Sequence, residues 1–308
     1  VKLPLLIGVI ILLVALVGAG FWLYTPDKSR KVLEAKYNVL PADYVNAAGM
    51  RLRIRDTGPR DGPAVIMLHG FGSSLETWDD WAALLSDRFR VIRYDLPGFG
   101  LTGPDPTGDY SDARGVAVLQ ALMDRLGIAK AAIIGNSMGG KLAWSFAAAH
   151  PDRVTKLVLV SPDGFASPGF EYGKKPDIGL LVRLLPYTLP TMMLRASLVP
   201  AYADKGMLTD DLVTRYADMM RAPGVRAAIV ARMQQYIPQD PEAQLHRIRA
   251  PTLLVWGGKD GMIPFANAQD YLRAIPNSRL VAFPDLGHIP QEEAPARSLE
   301  PVRQFLAE

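Results

Sequence analysis

A chain of 308 residues, about half of them apolar, is long enough for one large α/β domain with room for an inserted subdomain. Its 34 basic and 31 acidic residues leave a formal charge of +3, and the basic residues are scattered, which excludes the massed positive face of a nucleic-acid binder. With no cysteine there is no disulfide framework, no thiolate nucleophile and no cysteine-held metal.

From Leu3 to Thr25 the run LPLLIGVIILLVALVGAGFWLYT carries no charge. It is long enough to cross a hydrocarbon core of about 30 Å as a helix. Trp22 and Tyr24 stand where interfacial aromatics belong, and Lys28, Arg30 and Lys31 follow. Residues 1–26 are predicted to be a retained transmembrane anchor; the alternative is a signal peptide cut near Gly18, Ala19 and Gly20. Residues 27–42 read as a polar linker. MRLRIRDTG from Met50 alternates as a half-exposed strand does, whereas AVIMLHG from Ala64 is a continuous apolar run, the pattern of a strand buried on both faces. Further runs begin at Arg90 (RVIRYD), Ala131 (AAIIGN), Val154 (VTKLVLVS), Thr252 (TLLVWGG) and Arg279 (RLVAFPD). Helical patterns at Trp78–Arg88, Ser111–Leu126, Met138–His150 and Pro264–Ile275 separate most of them, which predicts a mostly parallel sheet.

One interval breaks the rhythm. Between Val160 and Thr252 the chain is far longer than a crossover helix needs. Thr209 is placed to cap TDDLVTRYADMM, whose Leu212, Val213, Tyr216, Met219 and Met220 share one face. VRAAIVARMQQYI from Val225 reads as a second amphipathic stretch. Residues 165–244 are predicted to form a helical cap between two parts of the core, 43–164 and 245–308.

The stretch AAIIGNSMGGKLAW from Ala131 fits two frames. Gly135 to Lys141 matches G-x-x-x-x-G-K, but a phosphate loop needs Ser or Thr next to hold Mg²⁺, and Leu142 stands there. Lys141 then reads as a solvated helix residue. Gly135 to Gly139 matches G-x-S-x-G, a strand-to-helix turn that presents Ser137 as a nucleophile. A serine at its ordinary pKa needs a histidine base, and the histidine needs a carboxylate to fix its tautomer.

There are four histidines. His150 ends a helix, His246 lies in a polar helical tail, and His69 directly precedes Gly70-Phe71-Gly72, where it reads as a brace for that loop. His288 sits on a loop just past the last strand and is the predicted base. Asp260, in the glycine-rich loop after the preceding strand, is the predicted acid. Asp163 is its rival and reads as a turn residue at the entrance to the cap; Asp95 reads as a tie for a glycine-rich loop, and Asp285 is too close to His288 along one loop. The backbone N–H groups of Phe71 and Met138 are the predicted oxyanion donors. Leu184, Met192, Met219 and Met233, with Leu185, Met193 and Met220, are candidates to line an acyl channel.

HGFGSSLETW, DLPGFGLT, GNSMGG, WGGKDGMIP and GHIPQEEAP occur in an order that resembles the α/β-hydrolases. The resemblance covers Met50 to Glu308. It implies a mostly parallel eight-stranded sheet flanked by helices, an inserted cap, and serine hydrolase chemistry without a metal or organic cofactor. A serine in the elbow, where haloalkane dehalogenases and epoxide hydrolases carry aspartate, sets those apart. GNSMGG is similar to the elbow of hydrolases that cleave carbon–carbon bonds in aromatic ring-fission products, although Ile289 follows the histidine where those enzymes often have tryptophan. The anchor resembles that of membrane-bound lipases of the monoacylglycerol-lipase type. The expectation is a serine esterase or lipase of apolar, lipid-derived esters, held by one N-terminal helix in a bacterial inner membrane. The alternatives are a carbon–carbon bond hydrolase, a non-catalytic ligand-binding protein on the same fold, and, for location, secretion after cleavage.

Overall fold

Runs such as AVIML and TLLVWG carry no charged residue on either face, so a strand made of them must be covered on both sides. The computed structural model describes residues 23–166 and 171–308, together with residues 3, 6–8, 10, 13, 18 and 20. In it these runs form strands β1 (Tyr44–Ala47), β2 (Met50–Thr57), β3 (Ala64–Leu68), β4 (Arg90–Tyr94), β5 (Ala131–Asn136), β6 (Val154–Val160), β7 (Thr252–Gly257) and β8 (Ser278–Phe283). They join in one sheet of order β1-β2-β4-β3-β5-β6-β7-β8. β2 is antiparallel to β1 and β4, and the rest are parallel.

Because successive side chains leave a strand on opposite faces, alternate residues feed two cores. Ile66, Leu68, Ile133, Leu157 and Leu254 enter one buried cluster, while Val65, Met67, Ile134, Val158 and Val255 enter the other. Helices α1 (Arg30–Lys36), α2 (Asp79–Leu85), α3 (Asp112–Arg125) and α4 (Met138–Ala149) precede β6. Leu33 of α1, Val118 and Leu122 of α3 and Phe146 of α4 cover the first face, and Trp81 of α2 covers the second. Ser111 caps α3 by accepting the Arg114 N–H at 3.2 Å.

Between β6 and β7 lie α5 (Leu180–Arg183), α6 (Thr191–Leu198), α7 (Asp210–Met220), α8 (Val225–Gln235) and α9 (Glu242–Leu245). Thr209 caps α7 by accepting the Leu212 N–H at 3.2 Å. α8 differs from its expected one-sided pattern: Val225, Arg226, Ala228, Ile229 and Val230 are all buried, so the helix is enclosed on several sides. The chain closes with α10 (Asn267–Ala274), α11 (Pro290–Glu293) and α12 (Pro295–Ala307), whose Leu299, Val302 and Phe305 finish the second face.

Two findings concern the N-terminal region. The stretch 27–42, expected as a polar linker, contains α1 and is bonded to the insertion. Lys28 and Lys36 both pair with buried Asp218, Tyr37 donates to the same carboxylate at 2.9 Å, and Arg226 reaches Asp27 at 2.7 Å. Most of the predicted anchor, residues 1–26, lies outside the described residues; among those described, no helix is long and apolar enough to cross a membrane.

Candidate active site at the carboxyl end of the sheet

Loops leaving the carboxyl ends of neighbouring parallel strands meet over one edge of a sheet, which is where such sheets build their sites. The loops after β3, β4, β5, β6, β7 and β8 carry His69, Asp95, Ser137, Asp163, Asp260 and His288 in turn.

Ser137 sits between β5 and α4 at φ 54°, ψ −121°, a left-handed conformation that L-residues other than glycine avoid. Three backbone bonds hold it there. Its N–H donates to Val160 O at 3.0 Å, and its carbonyl accepts from the Lys141 and Asp163 N–H groups, each at 3.0 Å. The turn closes because Gly139 lets α4 approach β3: a Cβ there would collide with the carbonyl oxygens of Leu68 and His69. Gly139→Ala is therefore expected to cost about 1–3 kcal/mol through overpacking, seen as a lower urea midpoint at unchanged m value.

His288 and Asp260 are brought together. His288 Nδ1 lies 2.7 Å from Asp260 Oδ2, and both side chains are buried. The other oxygen, Oδ1, accepts the N–H groups of Met262 at 2.8 Å and Ile263 at 2.9 Å. A carboxylate so used is an acceptor only, so Nδ1 carries the hydrogen and Nε2 is left as the basic nitrogen. The loop of His288 is tied to the serine turn. Asn136, the residue before Ser137, is buried, and its amide donates to His288 O at 3.1 Å and to Val160 O at 3.1 Å.

The glycine loop after β3 runs against the serine: a Cβ on Gly70 would stand 3.2 Å from Ser137 Cβ. Phe71 and Met138 line the same cavity as Ser137. Met138 opens α4, so its N–H has no partner within the helix and lies at the positive end of the helix dipole.

His69 braces this loop. Its Nε2 accepts the Leu96 N–H at 2.9 Å, and Nδ1 donates to Gly70 O at 2.8 Å, so the ring is neutral. Burial lowers its pKa, which keeps it so. Asp95 is fully buried and ties three segments, accepting from the Leu75 and Leu101 N–H groups at 2.8 Å each and from Arg53 at 3.2 Å. The remaining histidines stand apart. His150 follows α4 with its ring against Phe146, and His246 pairs with Glu242 on the surface. Asp285 pairs with Arg297, also on the surface.

A cavity of about 520 Å³ opens beside Ser137. Phe165, Ile178, Met233, Ile237 and Met262 give it apolar walls. Of the seven side chains expected to line an acyl channel, Met233 lines this cavity and Leu184, Leu185, Met192, Met193, Met219 and Met220 do not. Met219 is buried in the main core, where its sulfur lies 3.8 Å from Arg53, and Leu184 and Met192 are exposed on the outer surface. The apolar stripe of α7 is used up in the main core, where Val213, Tyr216, Met219 and Met220 are buried.

Two expectations need revision. Lys141 is buried rather than solvated; it pairs with Asp112 at 3.0 Å and lies over the Tyr236 ring. Asp163 is more than a turn residue, because its carboxyl forms part of the cavity wall and burial raises its pKa, with Lys141 opposing the shift and Asp112 adding to it. Burial likewise brings the Arg232 guanidinium down to about 10, although Asp112, Tyr110 and Asp105 oppose the shift.

Other contributors had no local signal in the sequence. Arg215 pairs with Glu292 at 2.9 Å, Tyr202 donates to Glu292 at 2.6 Å, and Glu293 accepts the Ala203 N–H at 2.6 Å. With the His288 N–H on Ala201 O at 2.8 Å, these bonds pin the histidine loop to the base of the insertion.

The sequence model of the alpha/beta hydrolase fold family matches residues 63–295. The chain is similar to the 2-hydroxy-6-oxo-6-phenylhexa-2,4-dienoate hydrolase of Burkholderia cepacia, at 30% identity over 261 residues, spanning 81% of this chain and 90% of that protein. Among solved structures it resembles the meta-cleavage product hydrolase of Pseudomonas fluorescens IP01, with a TM-score of 0.75 and 28% identity over 86% of this chain and 97% of the other. It also resembles a thermophilic esterase from Thermogutta terrifontis, with a TM-score of 0.71 and 27% identity over 86% and 96% of the two chains. The protein thus belongs to the α/β-hydrolase fold family.

Proposed function

We propose that the protein is a serine hydrolase that cleaves carboxylic esters with apolar acyl groups through an acyl-enzyme. The observation that carries this reading is the His288–Asp260 pair at 2.7 Å, its loop bonded to the residue before Ser137. In the proposed cycle Ser137 Oγ attacks the ester carbonyl and its proton passes to His288 Nε2. The N–H groups of Phe71 and Met138 hold the oxyanion. His288 returns the proton to the departing alcohol, and a water deprotonated by His288 releases the acid. Asp260 stays ionised and holds the imidazolium. Asp260→Asn is expected to lower kcat by about 10⁴-fold with little change in KM, because the amide no longer enforces the productive tautomer.

The apolar walls of the cavity support an acyl site. In a chain-length series of aryl esters, kcat/KM is expected to rise about three- to fourfold per methylene until the cavity is full. A flat, negligible profile would remove the esterase reading. The second reading, carbon–carbon bond hydrolysis, is favoured by the similarity to the Burkholderia enzyme. It takes precedence if a ring-fission dienoate is consumed faster than every ester.

We further read residues 165–244 as a cap that shapes this cavity and the uncharged run Leu3–Thr25 as a membrane anchor. The end of that run is bonded to the cap: the Thr25 N–H donates to Tyr187 O at 3.0 Å, and the Leu189 N–H donates to Thr25 Oγ1 at 2.6 Å. Release from membranes by high salt without detergent would remove the anchor reading.

A further inference from the structure

Next to Ser137 the wall of the cavity changes character. Asp163, Lys141 and Tyr236 form a polar corner in a cavity that Ser111, Asp112, Asp177, Arg232 and Gln235 also line. The backbone of Asp163 is locked from two sides. Its N–H donates to Ser137 O at 3.0 Å, and its carbonyl accepts from Trp144 Nε1 and Tyr271 OH at 2.9 Å each. None of these bonds uses the carboxyl. That group is left on the cavity wall with the Tyr236 hydroxyl 3.4 Å from Oδ2, beyond the usual range for an O–H···O bond of about 2.5–3.0 Å. The ammonium of Lys141, whose charge acts on it, is bonded to Asp112. With the Gly164 N–H as its other donor, the carboxyl keeps acceptor positions that a ligand's hydroxyl can fill.

The chemistry of the corner selects among ligands. Lys141 and Asp112 cancel each other, and desolvation drives the Asp163 carboxyl toward its neutral form. At this corner an incoming carboxylate would face Asp163 and a lysine already paired, while the other cation lining the cavity, Arg232, is engaged by the Tyr110 and Pro97 carbonyls; a hydroxyl can donate to or accept from every group of the corner. We propose that Asp163 is a specificity-determining residue that binds a neutral hydroxyl group of the substrate, so that the preferred esters carry a hydroxyl within reach of Ser137. This rests on the esterase reading given above and narrows its substrate class to hydroxylated esters.

The test measures binding in the Ser137→Ala protein, which holds esters uncleaved. Titration calorimetry compares methyl hexanoate with glyceryl monohexanoate, hydroxylated on the alcohol side, and with methyl ω-hydroxyhexanoate, hydroxylated on the acyl side. At least one hydroxylated ester is expected to bind about 10-fold tighter than methyl hexanoate, and which one does so places the hydroxyl. Adding Asp163→Leu should abolish the preference, while Asp163→Asn, whose amide still bonds a hydroxyl, should keep it within about threefold. Asp163→Ala gives the same reading if leucine disturbs the loop. Equal affinities for all three esters, or a preference that survives removal of the carboxyl, would overturn the proposal. Because no turnover is involved, failure of ester cleavage in the unaltered protein and failure of this preference are separate results.

Discussion

Ser137→Ala is expected to lower kcat by about 10⁴- to 10⁶-fold and to abolish covalent labelling by a fluorophosphonate, with little change in KM. The oxygen removed is the one that would bond to the acyl carbon, and no neighbouring hydroxyl on the turn replaces it: Asn136 and Met138 flank it in the chain. Stability tells a different story. The strain at φ 54° belongs to the backbone, and alanine has the same Cβ as serine, so Ser137→Ala should melt where the parent does. Ser137→Gly removes the Cβ and with it a strain of about 1–3 kcal/mol, which should raise Tm by several degrees while leaving the protein equally inactive. Undiminished labelling of Ser137→Ala would remove the catalytic role assigned to this residue.

Arg53→Met is expected to produce the largest loss of stability, about 3–5 kcal/mol, because it leaves two buried carboxylates without their cation. Arg53 is 1% exposed; it pairs with Glu76 and with Asp95, and Ser74 donates to the far oxygen of Glu76 at 2.6 Å. At about 2–4 °C per kcal/mol for a domain of this size, Tm should fall by roughly 6–20 °C. The loss should depend on pH. Burial pushes the Glu76 pKa up, but Arg53 more than reverses this and holds it below its ordinary value of 4.5. In the parent, the stability from this pair is therefore present above pH 4.5 and is lost as pH falls toward the depressed folded value. In the variant, burial acts on Glu76 with only the bonds from Ser74 and the backbone to oppose it, and Glu76 takes up a proton more readily in the folded state. The Tm gap between the two proteins is expected to be widest near neutrality and to narrow on acidification. A gap independent of pH would mean that the loss comes from packing and not from the charges.

The same network explains why the glycine loops stay in register. Asp95 joins β2, through Arg53, to the segments at Leu75 and Leu101, and Arg53 touches Met219 of the insertion. One buried guanidinium thus joins the sheet to the loops that frame the cavity. Nothing in MRLRIRDTG marks Arg53 as different from Arg51 and Arg55 on either side of it.

What could be read from the linear chain was whatever short-range physics imposes. A continuous apolar run must be buried on both faces, so β3, β5, β6 and β7 were legible as inner strands. The glycines around Ser137 announced a turn because the clashes they avoid lie only one strand and one helix away. Asp260 and His288 stood out as polar residues at the ends of such strands. Which side chains face the substrate was decided only in three dimensions. Periodicity states that Met219 and Met220 must leave water, but not whether a ligand or the main core receives them, and the core does. The charge of Lys141 predicted solvent, yet Asp112 satisfies it inside the fold. Asp163 looked like turn chemistry because its backbone is indeed held as a turn; that its carboxyl meets a cavity follows from where α8 and the insertion come to rest. Such pairings span many tens of residues, and long-range contact carries no imprint on the local pattern of a single chain.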